Sequence, residues 1–265
     1  MKKTLLITGS TDGLGRATAK ALLEQGHKVL IHGRNQDKVD QAKSEFIANI
    51  KDADIETYTA DLSDFAVVDK FAEAVARDHK KIDVLINNAG VFKVPNKTAD
   101  NGIDIRFVVN TIAPYLLTKK LTTLLGPESR VINLSSAAQA PVNVSALGEA
   151  NQLSDDQAYA QSKLALTMWS RYLAETKGQQ GPAIIAVNPA SFLGSKMVKE
   201  AYGKEGNDLQ IGVDILVRAA LSDEFANASG LYFDNDKGTF SDPHQDALDP
   251  AKTQAVTEKI ETILS

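Results

Sequence analysis

Short apolar runs alternate with amphipathic stretches along this chain. Residues 3–8 hold the short apolar run Leu5-Leu6-Ile7, and 183–187 are apolar at successive positions, the pattern of strands covered on both faces. Further strands are predicted at 28–32, 55–59, 82–86, 130–134 and 230–233. Between them fall helical patterns at 16–25, 36–50, 63–78, about 103–125, a stretch ending near 177, 213–222 and an amphipathic close at 251–264. Strand, glycine turn, helix and strand fill roughly the first 30 residues, the size of a βαβ unit. The alternation predicts an α/β protein with a doubly wound parallel sheet of about seven strands and helices on both faces. No repeat, linker or composition break interrupts it, so residues 1–265 read as one domain. Residues 192–212 carry Gly194, Gly203, Gly206 and Gly212 and read as a mobile lid or a short-helix excursion.

Composition narrows the chemistry. Hydrophobic residues make up 43% and charged residues 24%, ordinary for a soluble globular protein. A net charge of −5 gives no basic footprint for nucleic acid. Without cysteine there is no disulfide, thiol nucleophile or cysteine metal site. His27, His32, His79 and His244 lack ligand spacing, so no metal site is expected. The apolar run after Lys2 and Lys3 is too short for a signal peptide. No apolar stretch approaches the roughly 20 residues of a membrane span. A cytoplasmic protein without membrane partners is the expectation.

Gly9-Ser10-Thr11-Asp12-Gly13-Leu14-Gly15 follows the first strand and opens the first helix. Glycines there let the backbone turn tightly and approach a pyrophosphate, while the helix N-terminus offers free N–H groups. The second strand ends in His32-Gly33-Arg34-Asn35, without the carboxylate that usually holds a free ribose 2′-hydroxyl. Arg34 suits a 2′-phosphate, which favours NADP(H) and leaves NAD(H) as the alternative. Asp12 runs against this, adding negative charge near the phosphates. Asp61 closes the third strand, where it can meet an adenine amino group or cap the next helix.

Other positions point to the same strand ends. Asn87-Asn88-Ala89-Gly90 closes the fourth strand with small and amide residues, fitting a loop close to a ligand. Asn110 stands inside a predicted helix with Pro114 four residues on, and proline removes the N–H that would bond the Asn110 carbonyl. Either a simple kink or a carbonyl recruited to the active site follows. Ser135 and Ser136 end the fifth strand, and pleating lets only one face the crevice. Tyr159 and Lys163 lie one helical turn apart on one face. An ammonium beside a phenol favours phenolate, so the tyrosine pKa is expected to fall and the phenol to serve as an acid or base. Residues 140–156 are expected to border the substrate.

In this order, Thr8–Gly15, Asn87–Gly90, Asn110, Ser136 and Tyr159–Lys163 together resemble the short-chain dehydrogenase/reductase family over nearly the whole chain, through Asn188-Pro189. Ser136 stands 23 residues before Tyr159, a spacing similar to the retinol-dehydrogenase-like and WW-domain-oxidoreductase-like branch. The resemblance implies a Rossmann fold and hydride transfer between nicotinamide and a carbonyl or secondary alcohol. It makes Tyr159 the general acid or base. Lys163 would lower its pKa and bond the nicotinamide ribose, Ser136 would hold the substrate oxygen, and the Asn110 carbonyl would position a relay water. The implied coenzyme contacts are Gly9, Ser10, Thr11, Asp12, Gly13, Leu14, Gly15, Arg34, Asp61, Leu62, Asn88, Ala89, Gly90, Tyr159, Lys163, Pro189 and Ser191. The chain departs from the family's frequent Pro-Gly at Pro189-Ala190, and Ser195 stands where a threonine is usual. Alanine at 190 matters only if the backbone there needs a positive φ.

The expected activity is therefore an NADP(H)-dependent oxidoreductase acting on a small-molecule carbonyl or alcohol. Two alternatives remain on the same fold, a non-catalytic nucleotide sensor and a nicotinamide-using isomerase or epimerase. Phe92, Val142, Phe192, Met197 and Tyr202 fall in segments expected to border the crevice, which suits a partly apolar substrate; the plainer alternative makes several of them core residues. The helices at 103–125 and 157–177 suit pairing in a homodimer or homotetramer.

Overall fold

Strand β1 (Thr4–Ile7) lies inside an eight-stranded sheet of order β3-β2-β1-β4-β5-β6-β7-β8. Its neighbours are β2 (Lys28–Gly33) and β4 (Val84–Asn87); β3 (Asp54–Thr59) forms one edge. Beyond β4 follow β5 (Arg130–Leu134), β6 (Ala183–Asn188) and β7 (Tyr232–Asp234), all parallel. The order reverses between β1 and β4, and that switch point is where open parallel sheets bind ligands, beyond the strands' carboxyl ends. The computed structural model describes residues 1–150 and 153–265; residues 151 and 152, within the expected substrate-bordering segment, lie outside the described residues.

Helices cover both faces. α1 (Gly13–Glu24), α2 (Gln36–Asn49) and α8 (Leu209–Leu221) close one core, which includes Leu22, Phe46, Leu216 and Phe233. α3 (Phe65–Asp78), α5 (Ala113–Lys120), α6 (Asp155–Lys177) and α9 (Pro250–Leu264) close the other, around Phe107, Tyr115 and the fully buried Trp169. Each such buried side chain contributes roughly 1.5–3 kcal/mol. Helix starts follow local chemistry. Asp12, Asn35 and Asp64 accept backbone N–H bonds at the heads of α1, α2 and α3, and Ser154 with Gln157 forms a capping box on α6. Gly26, at φ +81°, turns the chain after α1.

Two expectations change in detail. The sheet gains β8 (Thr239–Ser241), antiparallel to β7, because a tight turn with Gly238 at φ +70° folds the chain back; three-residue strands carry too little alternation to read. The single helix expected at 103–125 is divided into α4 (Ile105–Phe107), a π-helical turn (Val108–Ile112) and α5, with the Ala113 N–H bonding Val108 five residues back. Pro114, unable to donate to Asn110, accounts for the break. Of the two readings of residues 192–212, the short helix is present, as α7 (Lys196–Tyr202).

The faces expected to meet a second subunit are partly occupied. α9 buries Val256 and Ile260 in the core that holds Met168 and Trp169 of α6, and Glu261 bonds Tyr115 and Lys119 of α5. No helix among the described residues is long and apolar enough to cross a membrane.

Candidate active site

The loop after β1 and the loop after β4 are stitched together at the switch point. The Thr8 hydroxyl accepts from the backbone N–H of Asn88 and of Ala89, both at 3.0 Å. The Asn88 side chain donates back to the carbonyls of Thr8 (2.9 Å) and Gly9 (3.0 Å). This contact explains two of the glycines. A Cβ on Gly15 would lie 2.3 Å from Asn88 Nδ2, and one on Gly9, whose φ is +65°, would lie 2.9 Å from Ala89 Cα. Both therefore serve protein packing as well as any ligand.

Gly13 is different. Its φ is +53°, and a Cβ there would meet only Ser195 Cβ at 4.0 Å, so this glycine faces open space. It also begins α1, whose N-terminal N–H groups point the same way. Arg34 stands exposed at the end of β2 with no ion pair or hydrogen bond among the described residues. An anion cradle bounded by a free guanidinium fits a dinucleotide carrying a 2′-phosphate. Asp12 is exposed and accepts from the Gly13 N–H at 2.7 Å, capping α1. Asp61 accepts from the backbone and hydroxyl of Ser63 (2.9 and 2.7 Å); α3 itself is capped by Asp64. Asp61 therefore does not cap the helix, as one of its two readings had it: it closes a tight turn through Ser63 just before Asp64 takes the cap. Leu62 is buried. Ser10 is spent inside, its hydroxyl on the Ile7 carbonyl at 2.8 Å.

His32 carries a function that spacing did not suggest. It is buried and stacked on Phe71, with Nδ1 accepting from the Gly9 N–H (3.2 Å) and Nε2 facing the Ala60 carbonyl (3.0 Å). Burial pushes its pKa down to about 4. It stays neutral, Nε2 as donor, and holds the glycine loop against β2 and the end of β3.

At the other end of the crevice, α6 presents Tyr159 and Lys163. Tyr159 is half-buried, its ring tilted against Phe92 at 4.7 Å between centres, and the Ser136 side chain lies close enough to favour its phenolate. Ser135 is fully engaged elsewhere, bonded to Thr167 at 2.7 Å under the helix. Only Ser136 therefore faces Tyr159, as pleating requires. Lys163 is buried, and its ammonium donates to the Leu134 carbonyl at 2.7 Å, 5.7 Å from the Tyr159 ring centre.

This geometry reverses the expected phenol shift. Desolvation raises Tyr159 to about 12 despite the opposing pull of the neighbouring Ser136 side chain, and burial lowers Lys163 to about 8. The two side chains share a face, as the spacing required, but the ammonium points to a strand end instead of the phenol oxygen. Without direct charge stabilisation, desolvation wins.

Asn110 sits on the π-helical turn, where its side chain joins three elements. Its amide donates to the Val91 carbonyl (2.9 Å) and the Ser162 hydroxyl (3.0 Å), and its oxygen accepts from the Val91 N–H (2.8 Å). A Cβ on Gly90 would lie 3.4 Å from Asn110 Oδ1 and 3.5 Å from Lys163 Nζ, so these three residues converge. Of the proposed contacts, Asn88, Ala89 and Gly90 follow β4 at the switch point, while Arg34 follows β2 and Asp61 and Leu62 follow β3 toward the sheet's edge.

The loop after β6 closes the crevice. Ala190 has φ +133°, so this backbone does require a positive φ, and Ser191 is bonded to Asp236. Phe92 is buried, whereas Phe192 and Tyr202 are exposed at 56% and 47% and meet edge to face at 5.3 Å between ring centres. Met197 and Val142 are half-buried. Sequence reasoning missed Thr8, His32, Asp236 and Tyr232, whose hydroxyl donates to the Ser136 carbonyl at 3.2 Å.

Comparison with known proteins agrees with this architecture. The short chain dehydrogenase family matches residues 3–206. Retinol dehydrogenase 12 of Bos taurus is 32% identical over 261 residues, covering 91% of this chain and 80% of the relative. Polyprenol dehydrogenase of Homo sapiens is 30% identical over 262 residues, covering 90% and 78%. A metagenomic short-chain oxidoreductase solved in complex with NADP superposes with a TM-score of 0.62 at 25% identity, covering 82% of this chain and 90% of that one. With a sheet switch point carrying this glycine loop and a family match over most of its length, the chain is an oxidoreductase of the short chain dehydrogenase family, in its retinol-dehydrogenase-like branch.

Proposed function

We propose that this chain is an NADP(H)-dependent oxidoreductase interconverting a carbonyl and a secondary alcohol, with Tyr159 as general acid or base. The observation that carries the proposal is the meeting of Ser136, Tyr159 and Lys163 at the sheet's carboxyl edge, with Lys163 one helical turn from Tyr159 and held to the Leu134 carbonyl at 2.7 Å. Bound coenzyme supplies or accepts the hydride. Ser136 and Tyr159 hold one substrate oxygen between them, and the Tyr159 proton passes to that oxygen in reduction and returns in oxidation. Lys163, released from the Leu134 carbonyl, lends positive charge beside the phenol and a bond to the ribose. Asn110 supports this end by locking the loop at Val91 to α6 through Ser162, and its carbonyl positions the relay water.

The free guanidinium of Arg34 supports NADP(H) over NAD(H). Residues 192–212 act as the substrate lid on a single domain; Lys93 donates to the Ala201 carbonyl at 2.7 Å and tethers α7 above Phe92. The aromatic lining from Phe92 to Phe192 supports a partly apolar substrate. A cytoplasmic location belongs to the same proposal, and cell fractionation checks it.

Titration with NADPH and NADH, followed by nicotinamide fluorescence, tests the coenzyme assignment. NADPH should bind more tightly, and Arg34→Ala should weaken NADPH roughly tenfold or more with little effect on NADH, as expected for losing charge-assisted bonds. Equal losses would refute the role of Arg34. Binding of neither coenzyme would remove the enzyme reading. Tight retention of coenzyme with no net turnover across aldehydes, ketones and quinones would favour the sensor or isomerase.

A further inference from the structure

Ala190 keeps a φ of +133°, a conformation that L side chains rarely adopt. Such backbone persists only where its surroundings hold it. Those surroundings come from the turn between β7 and β8. Asp236 Oδ1 accepts from the Ser191 N–H at 2.8 Å, and Oδ2 accepts from the Ser191 hydroxyl (2.6 Å) and the Asn188 amide (2.9 Å). The neighbouring Asn235 donates its side chain to the Pro189 carbonyl at 2.9 Å and its backbone N–H to the Asn188 carbonyl at 3.1 Å. The residues on either side of Ala190 are thus gripped, while Ala190 makes none of these bonds and takes the backbone shape they impose. Burial opposes the Asp236 charge, but the bonds from Ser191 and Asn188 outweigh it and hold the carboxyl below its ordinary value.

We propose that Asp236 is a positioning residue that holds the strained loop 188–191 in its coenzyme-binding shape. The loop follows β6, next to the β5 end that bears Ser136. The segment continues to Ser195, which stands opposite Gly13. A relaxed Ala190 would swing Pro189 and Ser191 out of the crevice. The carboxylate prevents this from outside the site, touching neither substrate nor coenzyme. This inference rests on the coenzyme reading above for its functional half, and on the strained backbone alone for its mechanical half.

A double-mutant cycle separates the two halves. Glycine at 190 adopts the same φ without strain, so the loop then needs less holding. Asp236→Ala should raise the Kd for NADPH about tenfold alone and less than about threefold in the Ala190→Gly background, a coupling expected of residues in one network. Asp236→Asn, which keeps an acceptor for the Ser191 N–H, should fall between wild type and Asp236→Ala. Urea unfolding without coenzyme should show the opposite order. Asp236→Ala should lower the midpoint less in wild type, where strain is released as the bonds are lost, than in the Ala190→Gly background. Equal Kd losses in both backgrounds, or equal urea shifts, would overturn the proposal. A wild type that binds neither coenzyme would remove the proposed function, and the urea arm would still decide whether Asp236 holds Ala190.

Discussion

Lys163 lies one helical turn beyond Tyr159, yet its ammonium donates to the Leu134 carbonyl instead of the phenol. Two consequences follow for pH. Tyr159, at about 12, stays protonated through the working range and is poised as an acid for carbonyl reduction. Lys163, at about 8, is the group that changes charge near neutrality. Its folded value lies below the ordinary lysine value of 10.5, so burial opposes its charged form. Stability should therefore rise with pH between about 8 and 10.5, where the unfolded chain binds the extra proton. Reduction should move the other way. The kcat/KM for carbonyl reduction should fall above about pH 8 as the charge at Lys163 is lost, and Lys163→Arg should carry that limb to higher pH. A limb unmoved by Lys163→Arg would assign the titration to another group.

Removing the phenol tests the acid itself. Tyr159→Phe deletes one hydroxyl, keeps the ring on Phe92 and leaves the glycine loop untouched. Turnover should drop by roughly 10²–10⁴, the usual contribution of a positioned acid or base. The NADPH Kd, read by fluorescence, should stay within about twofold, because the lost group lies outside the phosphate cradle. Near-wild-type turnover would sink the assignment.

The glycine loop yields a prediction that its spacing alone would get wrong. Gly9, Gly13 and Gly15 look equivalent as ligand-facing glycines. The structure ranks them, because a Cβ on Gly15 meets Asn88 Nδ2 at 2.3 Å and the Gly9 carbonyl at 2.4 Å, while one on Gly13 meets open space. Gly15→Ala should lower folding stability by about 1–3 kcal/mol, the usual range for overpacking. Gly13→Ala bears only the strain of φ +53° and should lose less stability while weakening coenzyme binding. Urea midpoints and coenzyme titration on both variants check the ranking.

These contrasts show what one-dimensional pattern conveys. Short apolar runs and period-3.6 hydrophobicity located seven strands and most helices, and Pro114 marked the break beside Asn110. Tyr159, Lys163, Ser136 and the glycine loop could be picked out because each combines an unusual residue type with fixed local spacing. Thr8 holding Asn88 and His32 holding Gly9 were invisible, since those partners are 80 and 23 residues apart and meet only through strand register. The Asp236 grip likewise depends on a hairpin too short to read. The direction of the Tyr159 shift failed for a different reason. Spacing gives proximity, but it gives neither the lysine's rotamer nor the degree of desolvation.

The last helix bears on assembly. α9 places Val256 and Ile260, both fully buried, against α6, and pins Glu261 to Tyr115 and Lys119 of α5. α9 thus covers part of the face that α5 and α6 would offer to a homodimer or homotetramer. Light scattering should therefore read a mass near one 28.5 kDa chain, or an oligomer that uses another face. Ile260→Ala should cost about 2–5 kcal/mol in urea unfolding, as for other truncations of a buried isoleucine. Tyr172→Glu, a charge placed on the partly exposed side of α6, should leave the mass unchanged. An oligomer that dissociates on Tyr172→Glu would mean that α6 is an interface after all, and that α9 shares this face with a second copy.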